Sequence, residues 1–366
     1  MKTDDFDFVL PEELIAQTPL KDRSSSRLLI LNRENPETIK EKHFSDILDY
    51  FNPGDALVLN ETKVLPARIF GHRADTGGKI EVLLLKDLGN DTWECLTRPQ
   101  KRLKNGKSIL FFKNENDKEP LMSAHVEELK EEGITVLKFT YAGVFLEILD
   151  KLGSMPLPPY IHEKLKDKDR YQTVYAKNLG SAAAPTAGLH FTPELLKKAK
   201  NRGIKIIKIT LHVGLGTFRP VNVDDVKKHK MHTETYVITE EAAKEIEEVR
   251  ASGGKIIAVG TTTVRTLETV AKKFDGKIIA DRGETDIFIY PGFKFEVVNH
   301  LITNFHLPKS TLLMLVSAFM EEKLPEKSPF KASSSLPGRD LVLRAYDYAI
   351  ENKFRFFSFG DAMLIL

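Results

Sequence analysis

The sequence contains very little cysteine and no long apolar run. Cys95 is the single cysteine among 366 residues, so the chain can form neither an internal disulfide nor a cysteine-based zinc site. Such a composition is typical of a reducing cytoplasm. The opening stretch MKTDDFDFVLPEELIAQ is acidic where a signal peptide is basic, and the longest strongly apolar run, TLLMLVSAFM, is too short to span a bilayer. We therefore expect a cytoplasmic protein with no membrane partner.

The net charge is close to neutral, at +2, and it excludes no class of partner. Its distribution is uneven, because two stretches carry many basic residues and no acid: RPQKRLKNGK (98–107) and KKAKNRGIKIIK (197–208). Such clusters suit a phosphate backbone. A solvated surface of a helix or loop explains either cluster equally simply.

Two patterns of predicted secondary structure alternate along the chain. Between about 54 and 145, short strands such as DALVLN and KIEVLLL alternate with glycine-containing turns, which predicts a small antiparallel barrel or sandwich. From about 148 onward, strands alternate with helices, as in TPELLKKAKNRG followed by IKIIKITLHV. We predict an α/β domain with a mixed, largely parallel sheet over 1–58 and 148–366, and an inserted antiparallel β-barrel domain over 59–147.

Residues that follow the predicted strands are the first candidates for a site, because ligands of α/β sheets bind beyond the carboxyl ends of strands. IKIIKITLHV is followed by GLGTFRP, and KIIAVG is followed by TTTVRTLE, whose threonines open a predicted helix. Free backbone N–H groups at a helix start can bind a carboxylate or phosphate. Without a ligand, a tight turn explains GLGTF and a threonine-capped helix explains GTTTVR. The candidates are Gly214, Gly216, Thr217, Arg219, Thr261, Thr262, Thr263 and Arg265.

Two further segments have unusual compositions. LGSAAAPTAGLHF (179–191) carries nothing larger than threonine from Gly180 to Gly188, which allows a ligand or another chain to approach the backbone closely. LITNFHLPKSTLLMLVSAF (301–319) places polar residues in a loop before an apolar helix. A flexible linker explains the first segment less well, because residues that pack flank it on both sides. An ordinary helix cap explains the second segment at least as well as a site does. The candidates here are Ser181, Thr186, Gly188, His190, Asn304, His306, Lys309 and Ser310.

Several common catalytic patterns are missing. GLGTF lacks the third glycine of the dinucleotide fingerprint, and no G-x-S-x-G elbow or helical HExxH pair occurs. The set His229, His232 and Glu234 is a weak metal-binding candidate. Cys95 lies on a predicted barrel strand, which makes it a poor candidate nucleophile. We therefore expect no metal.

Long and chemically unusual segments resemble the S-adenosylmethionine:tRNA ribosyltransferase-isomerases of queuosine biosynthesis. These segments run along nearly the whole chain, and they include NETKVLPARIFG, MPLPPYI, DRYQTVYAKNLGSAAAPTAGLHFT, TLHVGLGTFRPV, VGTTTVRTLE, TDIFIYPGF and NFHLPKSTLLMLVSAF. The chain departs from the family pattern at Glu284, where many relatives carry an aromatic residue, and in a longer link over 324–340.

The resemblance implies a transferase with S-adenosylmethionine as co-substrate. Such an enzyme joins the ribosyl part of S-adenosylmethionine to 7-aminomethyl-7-deazaguanine at the wobble position of tRNA and isomerises it. The products are epoxyqueuosine in the tRNA, adenine and methionine. We expect a monomer that contains no metal.

That chemistry gives the candidate residues their expected roles. His190 or His212 is the expected acid–base group, because a base must lie close to the ribose. Arg265, with the amides of Thr261–Thr263, is the expected clamp for the methionine carboxylate. The remaining expected roles are orientation of ribose or base by Asn304, His306 and Lys309, and tRNA phosphate binding by Lys101, Arg102 and Lys104.

Two other classes of protein remain possible on the residues alone. A nicotinamide-dependent oxidoreductase would use GLGTF to bind the pyrophosphate, although the fingerprint is incomplete. A non-catalytic tRNA-binding protein would use only the barrel and the basic clusters, and it would not turn over S-adenosylmethionine.

Overall fold

The computed structural model describes residues 1–114, 116–163, 165, 167–214, 221 and 223–366. Contacts divide the chain into two compact units. The sheet unit comprises Met1–Thr62, Pro158–Asn178 and Ala184–Leu366, and the barrel unit comprises Lys63–Leu157 and Leu179–Ala183. The barrel unit thus ends at Leu157, later than the predicted 59–147, and it also includes Leu179–Ala183.

The elements are numbered in chain order. The strands are β1 (Arg27–Leu31), β2 (Ile39–His43), β3 (Ala56–Asn60), β4 (Thr62–Val64), β5 (Arg68–Arg73), β6 (Lys79–Gly89), β7 (Thr92–Arg98), β8 (Ser108–Phe111), β9 (Met122–Leu129), β10 (Ile134–Tyr141), β11 (Asn178–Ser181), β12 (Lys205–His212), β13 (Glu234–Ile238), β14 (Ile256–Val259), β15 (Asp281–Thr285), β16 (His300–Asn304) and β17 (Ala362–Ile365). The α-helices are α1 (Phe145–Leu152), α2 (Pro193–Asn201), α3 (Glu240–Ala251), α4 (Thr261–Lys273), α5 (Thr311–Glu322), α6 (Pro329–Ser333) and α7 (Pro337–Glu351). Short 3₁₀ helices occupy Thr3–Phe6, Glu12–Leu14, Arg23–Ser25, Phe44–Tyr50, Gln100–Arg102, Glu131–Gly133, Lys168–Tyr171, Thr186–His190 and Val226–Lys228.

The sheet unit is built on a mixed sheet with the strand order β15-β13-β12-β3-β14-β16-β17-β1-β2. The four central strands β12, β3, β14 and β16 run parallel, whereas β13 and β15 on one side and β17 and β2 on the other pair antiparallel with a neighbour. Every residue of β3 and β14 is buried, as expected for parallel strands covered on both faces.

Two of the helices that accompany these strands begin at threonine caps. The Thr192 hydroxyl accepts from the Leu195 N–H at 3.1 Å, with Pro193 at the first helical position of α2. The Thr239 hydroxyl caps α3 by accepting from the Ala242 N–H at 3.2 Å. A capping hydroxyl satisfies a backbone donor that has no partner inside the helix. None of the described helices is long and apolar enough to cross a membrane.

The barrel unit contains a closed antiparallel barrel with the order β10-β7-β6-β5-β8-β9. Its short strands alternate buried and more exposed residues, as in β8 and β9, because successive side chains point to opposite faces. Cys95 on β7 is fully buried, and this burial raises the pKa of its thiol. The mixed sheet and the separate barrel confirm the predicted fold class. The strand DALVLN, one of the short strands read in the barrel region, is instead β3 at the centre of the large sheet.

Candidate active site

The candidate site lies at one edge of the large sheet, which we call the site edge. Because β12, β3, β14 and β16 run parallel, their carboxyl ends meet there. The amino ends of β17 and β1 reach the same edge, since β17 is antiparallel to β16 and parallel to β1. Ligands of α/β sheets bind at such an edge.

His212 ends β12, and only one of its ring nitrogens is anchored. Nδ1 lies 2.8 Å from the Thr62 hydroxyl, whereas Nε2 has no hydrogen bond to a described residue. The residue is half-buried. Burial and, secondarily, the nearby Arg282 charge lower the pKa of His212. The ring is therefore neutral at pH 7 and has a nitrogen able to accept a proton.

Asn60, at the end of β3, holds this part of the site edge together. Its Oδ1 accepts from the Leu211 N–H at 3.0 Å and from the Thr62 N–H at 3.2 Å. Its Nδ2 donates to the Leu211 carbonyl at 3.0 Å and lies 3.3 Å from the Thr262 hydroxyl. The fully buried Asn60 side chain thus fixes β12, the segment carrying Thr62 and the first turn of α4 relative to one another.

His190 belongs to a second, fully bonded group. Asn304 Oδ1 accepts from the Thr186 hydroxyl at 3.0 Å, so its Nδ2 is the group that faces His190 Nε2 at 3.1 Å. Nε2 is therefore an acceptor, and Nδ1 carries the proton that it donates to Ser26 Oγ at 2.7 Å. Both nitrogens of His190 are thereby occupied.

The environment of His190 keeps its ring neutral. Only 4% of the residue is exposed, and the ring stacks on Phe44 with centroids 4.9 Å apart. Burial, followed by the charges of Arg355 and Arg23, lowers the pKa of His190 to about 3. A buried ring with two satisfied nitrogens fixes its neighbours in place, whereas His212 has a nitrogen left for chemistry.

The first turn of α4 presents backbone donors at the site edge. Gly260 precedes the helix with φ of 90°, a conformation that side-chain-bearing residues rarely adopt. The first two amides of α4, those of Thr261 and Thr262, have no hydrogen bond to a described residue, whereas the Thr263 N–H donates to Gly260 at 3.1 Å. Such free amides at a helix start favour an anionic ligand.

Arg265 is bonded inside the protein through Nη1, whereas its buried Nη2 has no hydrogen-bond partner among the described residues. Its Nη1 donates to Glu234 Oε2 in an ion pair whose side chains are only 5% and 3% exposed. Glu234 Oε1 in turn accepts from the Gly214 N–H at 3.0 Å. Arg265 is thus linked through Glu234 to Gly214, the first residue of GLGTF. The expected role of Arg265 in clamping the methionine carboxylate stays a prediction.

The small-residue segment is packed inside the protein. A Cβ on Gly188 would stand 2.0 Å from the Tyr175 hydroxyl, so only glycine fits there. Ala187 is buried and lies close to Gly260 at the start of α4. Ser181 belongs to the barrel unit, where its hydroxyl donates to the Ala183 carbonyl at 2.7 Å. Within the sheet unit, Ala187 and Gly188 are thus buried. The close approach of a ligand to this segment stays a prediction.

The other candidates have different neighbours. Lys309 Nζ pairs with Asp4 at 2.8 Å and Asp7 at 3.0 Å, which draws it toward the acidic N-terminal segment. Ser310 caps α5 by accepting from the Leu313 N–H at 3.2 Å. His306 is bonded through Nε2 to the Thr303 hydroxyl at 2.8 Å. Gly216, Thr217 and Arg219 lie outside the described residues.

The basic clusters differ in how far acids neutralise them. Lys101, Arg102 and Lys104 are exposed and form no ion pair with a described residue. In the 197–208 cluster, by contrast, ion pairs join Arg202 to Asp49, Lys205 to Glu248 and Lys208 to Glu61. Glu284 is exposed on the edge strand β15. Among the described residues, no group of three or more His, Cys, Asp or Glu side chains could hold a metal ion, and this holds for His229, His232 and Glu234.

The sequence reasoning missed Asn60, Thr62 and Ser26. The sequence does contain an indication of Asn60, because this residue ends the strand DALVLN, where a site of an α/β sheet is expected. Ser26 and Arg23 stand in LPEELIAQTPLKDRSSSRLL, another family-like segment. They line a small cleft together with His190 and Arg170.

Comparison with known proteins agrees with this picture. A family model described as queuosine biosynthesis protein matches residues 3–365. The crystal structure of an S-adenosylmethionine tRNA ribosyltransferase from Thermotoga maritima shares 38% sequence identity, covers 99% of this chain and 100% of its own, and superposes with a TM-score of 0.54. These matches confirm the family and the enzyme class that the sequence motifs indicate. The chain belongs to the queuosine biosynthesis protein family.

Proposed function

We propose that this enzyme transfers the ribosyl part of S-adenosylmethionine to 7-aminomethyl-7-deazaguanine at the wobble position of tRNA. In the same reaction it isomerises the ribosyl group, so that epoxyqueuosine-tRNA forms and adenine and methionine leave. The family match and the name of the Thermotoga maritima relative support the two substrates. The polar groups at the site edge support a reaction there that moves protons and handles an anion.

His212 is the proposed base. The first step removes a proton from the carbon beside the sulfonium, which opens the ribose and expels adenine. The base must be neutral at pH 7 and hold a free lone pair. Because the Thr62 hydroxyl donates to the Asn178 carbonyl at 3.5 Å, it accepts from His212 Nδ1–H, and the lone pair of the neutral ring lies on Nε2, which has no hydrogen bond to a described residue. The Thr62 hydroxyl at Nδ1 orients the ring. His190 instead positions Asn304 and Ser26.

The methionine carboxylate is proposed to bind at the first turn of α4. The amides of Thr261 and Thr262 have no protein partner among the described residues, and the positive end of a helix dipole favours a negative group. Arg265 and Glu234 contribute indirectly, by holding Gly214 beside this turn. No metal is needed for any of these steps.

The tRNA backbone is proposed to contact the barrel cluster of Lys101, Arg102 and Lys104. These side chains are exposed and free of ion pairs with described residues. Phosphate contacts of this kind position RNA without reading its sequence. The modified base itself must leave the anticodon stack to reach a reactive group.

The observation that carries the proposal is the neutral His212 at the site edge, whose Nε2 has no hydrogen bond to any residue that the structure describes. The test is incubation of the protein with S-adenosylmethionine and tRNA that carries the aminomethyl-deazaguanine, followed by mass analysis of nucleosides and small products. Epoxyqueuosine, adenine and methionine are expected together, with or without a chelator, and tRNA with guanine at the wobble position is the control. Release of S-adenosylhomocysteine would mean methyl transfer and would contradict the proposal.

A further inference from the structure

A second concave surface lies beside the site edge. It is a groove of about 810 Å³ whose wall includes Ile287, Phe288, Tyr290 and Phe293. These residues follow β15, whose last residue, Thr285, pairs with Glu234 in the sheet. Arg265 Nε lies 3.4 Å from the Ile287 carbonyl. The groove is therefore tied directly to the ion pair that flanks the proposed active site.

A tight turn displays two of the aromatic rings. The Phe293 N–H donates to the Tyr290 carbonyl at 3.1 Å, and Gly292 has φ of 95°. Proline at the second position and glycine with positive φ at the third are the signature of a type II turn. This turn brings Tyr290 and Phe293 close together. Phe293 is further anchored by Phe295, with ring centroids 5.0 Å apart.

Phe288 completes the aromatic wall. Its ring lies 5.1 Å from that of Tyr290 and 5.3 Å from that of His229. Phe288, Tyr290 and Phe293 are all partly exposed rather than buried in the core. Their mutual contacts hold the rings in place before any ligand arrives, which reduces the entropy lost on binding.

Two lysines and two aspartates are the charged side chains that line the groove. Lys227 and Lys272 line the groove, are exposed and form no ion pair with a described residue. Lys228 and Lys230 are exposed beside Lys227 in the sequence. The acids on the wall are Asp5 and Asp286, and the Asp5 carboxylate already accepts from the Lys2 N–H at 2.7 Å.

We propose that this groove binds unpaired RNA bases of the anticodon loop that flank the modified base. Aromatic rings stack on any base, and unpaired lysines attract the phosphates between bases, which is the usual combination in single-strand binding sites. The proposal rests on the proposed function, because the occupant is the same tRNA. The groove would hold the neighbours of the base that reacts at the site edge.

The test uses two RNA hairpins with the anticodon-loop sequence, one intact and one lacking the bases that flank the wobble position. The full-length protein is expected to bind the intact hairpin about 10-fold more tightly, since a base stacked on an aromatic ring contributes about that factor or more. The double variant Phe288→Leu/Tyr290→Leu is expected to bind the two hairpins equally. Tyr348→Leu, on α7, is the matched control and should discriminate as the wild type does.

Two further measurements keep the test decisive. A hairpin with 5-iodouridine beside the wobble position is expected to cross-link, in the unmodified protein, to the peptide that contains Phe288 and Tyr290. Lys227→Ala/Lys272→Ala should reduce the salt dependence of hairpin binding by about 0.7 log units per lost phosphate contact. Lys244→Ala is its control.

The possible outcomes distinguish failure of the groove proposal from failure of the proposed function. Discrimination that survives in the aromatic double variant, together with a cross-link elsewhere, would overturn the groove proposal and leave the proposed function standing. Failure of the wild type to consume S-adenosylmethionine with the modified tRNA would instead overturn the proposed function. If the double variant does not fold, the cross-link in the unmodified protein decides the question.

Discussion

Replacing Arg265 by methionine tests whether this arginine holds the protein together or grips the substrate. Its partner Glu234 is 3% exposed at the side chain and also accepts from the Gly214 N–H, so the substitution removes a buried positive charge from beside a buried carboxylate. Removing one member of a buried ion pair typically costs about 3–5 kcal/mol. We expect a loss of that size in the free energy of unfolding, accompanied by slower turnover because the Gly214 N–H loses a fixed acceptor.

A double-mutant cycle measured by urea unfolding separates the pair from its surroundings. Glu234→Gln combined with Arg265→Met removes both charges, and we expect this double variant to regain most of the stability lost in Arg265→Met. Lys273→Met is the control on the same helix. Its ion pair with Asp281 is half exposed at the lysine, and an exposed pair contributes about 1 kcal/mol or less.

The opposite pattern would refute this reasoning. If Arg265→Met unfolds like the wild type but binds S-adenosylmethionine about 1.5–3 kcal/mol more weakly, as loss of a charge-assisted bond to the ligand implies, then Arg265 contacts the substrate. The clamp expected from the sequence would then be correct, and the ion pair with Glu234 would open on binding.

Three further substitutions test other parts of the account. Burial lowers the pKa of His190 to about 3, so below about pH 6.5 the unfolded chain binds a proton that the folded chain excludes. Between about pH 7.5 and 4.5 the wild type should therefore lose about 2–3 kcal/mol more stability than His190→Gln, measured by calorimetric or urea unfolding. Thr62→Val should slow turnover and change its pH profile, because His212 loses its bond at Nδ1. Thr62→Ser keeps the hydroxyl and should have the turnover and pH profile of the wild type. An unchanged profile in Thr62→Val would show that Thr62 does not orient the ring. The triple variant Lys101→Ala/Arg102→Ala/Lys104→Ala should weaken tRNA binding and reduce its salt dependence by about 0.7 log units per lost contact, with S-adenosylmethionine affinity unchanged; normal tRNA binding at all salt concentrations would make the cluster a solvated surface.

Local signals were enough to predict much of the fold. Helices α2 and α3 begin at threonine caps that stand directly before their apolar pattern. The short barrel strands alternate with turn residues, and this pattern is a local property. The position of β3 was harder to predict, because a short apolar strand looks the same in a barrel and in the middle of a parallel sheet.

The site depends on contacts between distant parts of the chain, which no local pattern encodes. Ser26 and His190 are 164 residues apart in the sequence, and Asn60 reaches Leu211 across 151 residues. The sequence alone therefore does not distinguish His190 from His212. Their surroundings show that both nitrogens of His190 are bonded, whereas Nε2 of His212 has no hydrogen bond within the described part of the chain.

The partners of Lys309 and Arg265 are also distant in the sequence. The sequence predicts that Lys309, in a loop before a helix, orients ribose or base, and this role stays a prediction. The structure adds that its charge is matched by Asp4 and Asp7, which are distant in the sequence. Arg265 likewise stands near a helix start, and its partner Glu234 lies on β13, 31 residues earlier in the sequence.

The central claim, that His212 removes the proton that starts ribosyl transfer, is tested most directly by single-turnover release of adenine from S-adenosylmethionine in the presence of the modified tRNA. His212→Gln is expected to slow this step by about 10²–10⁴-fold while S-adenosylmethionine still binds, since a general base contributes that much to rate. His43→Gln, at an exposed position, should release adenine at the wild-type rate, and His190→Gln should be affected mainly in stability. Full-rate adenine release by His212→Gln would contradict the account.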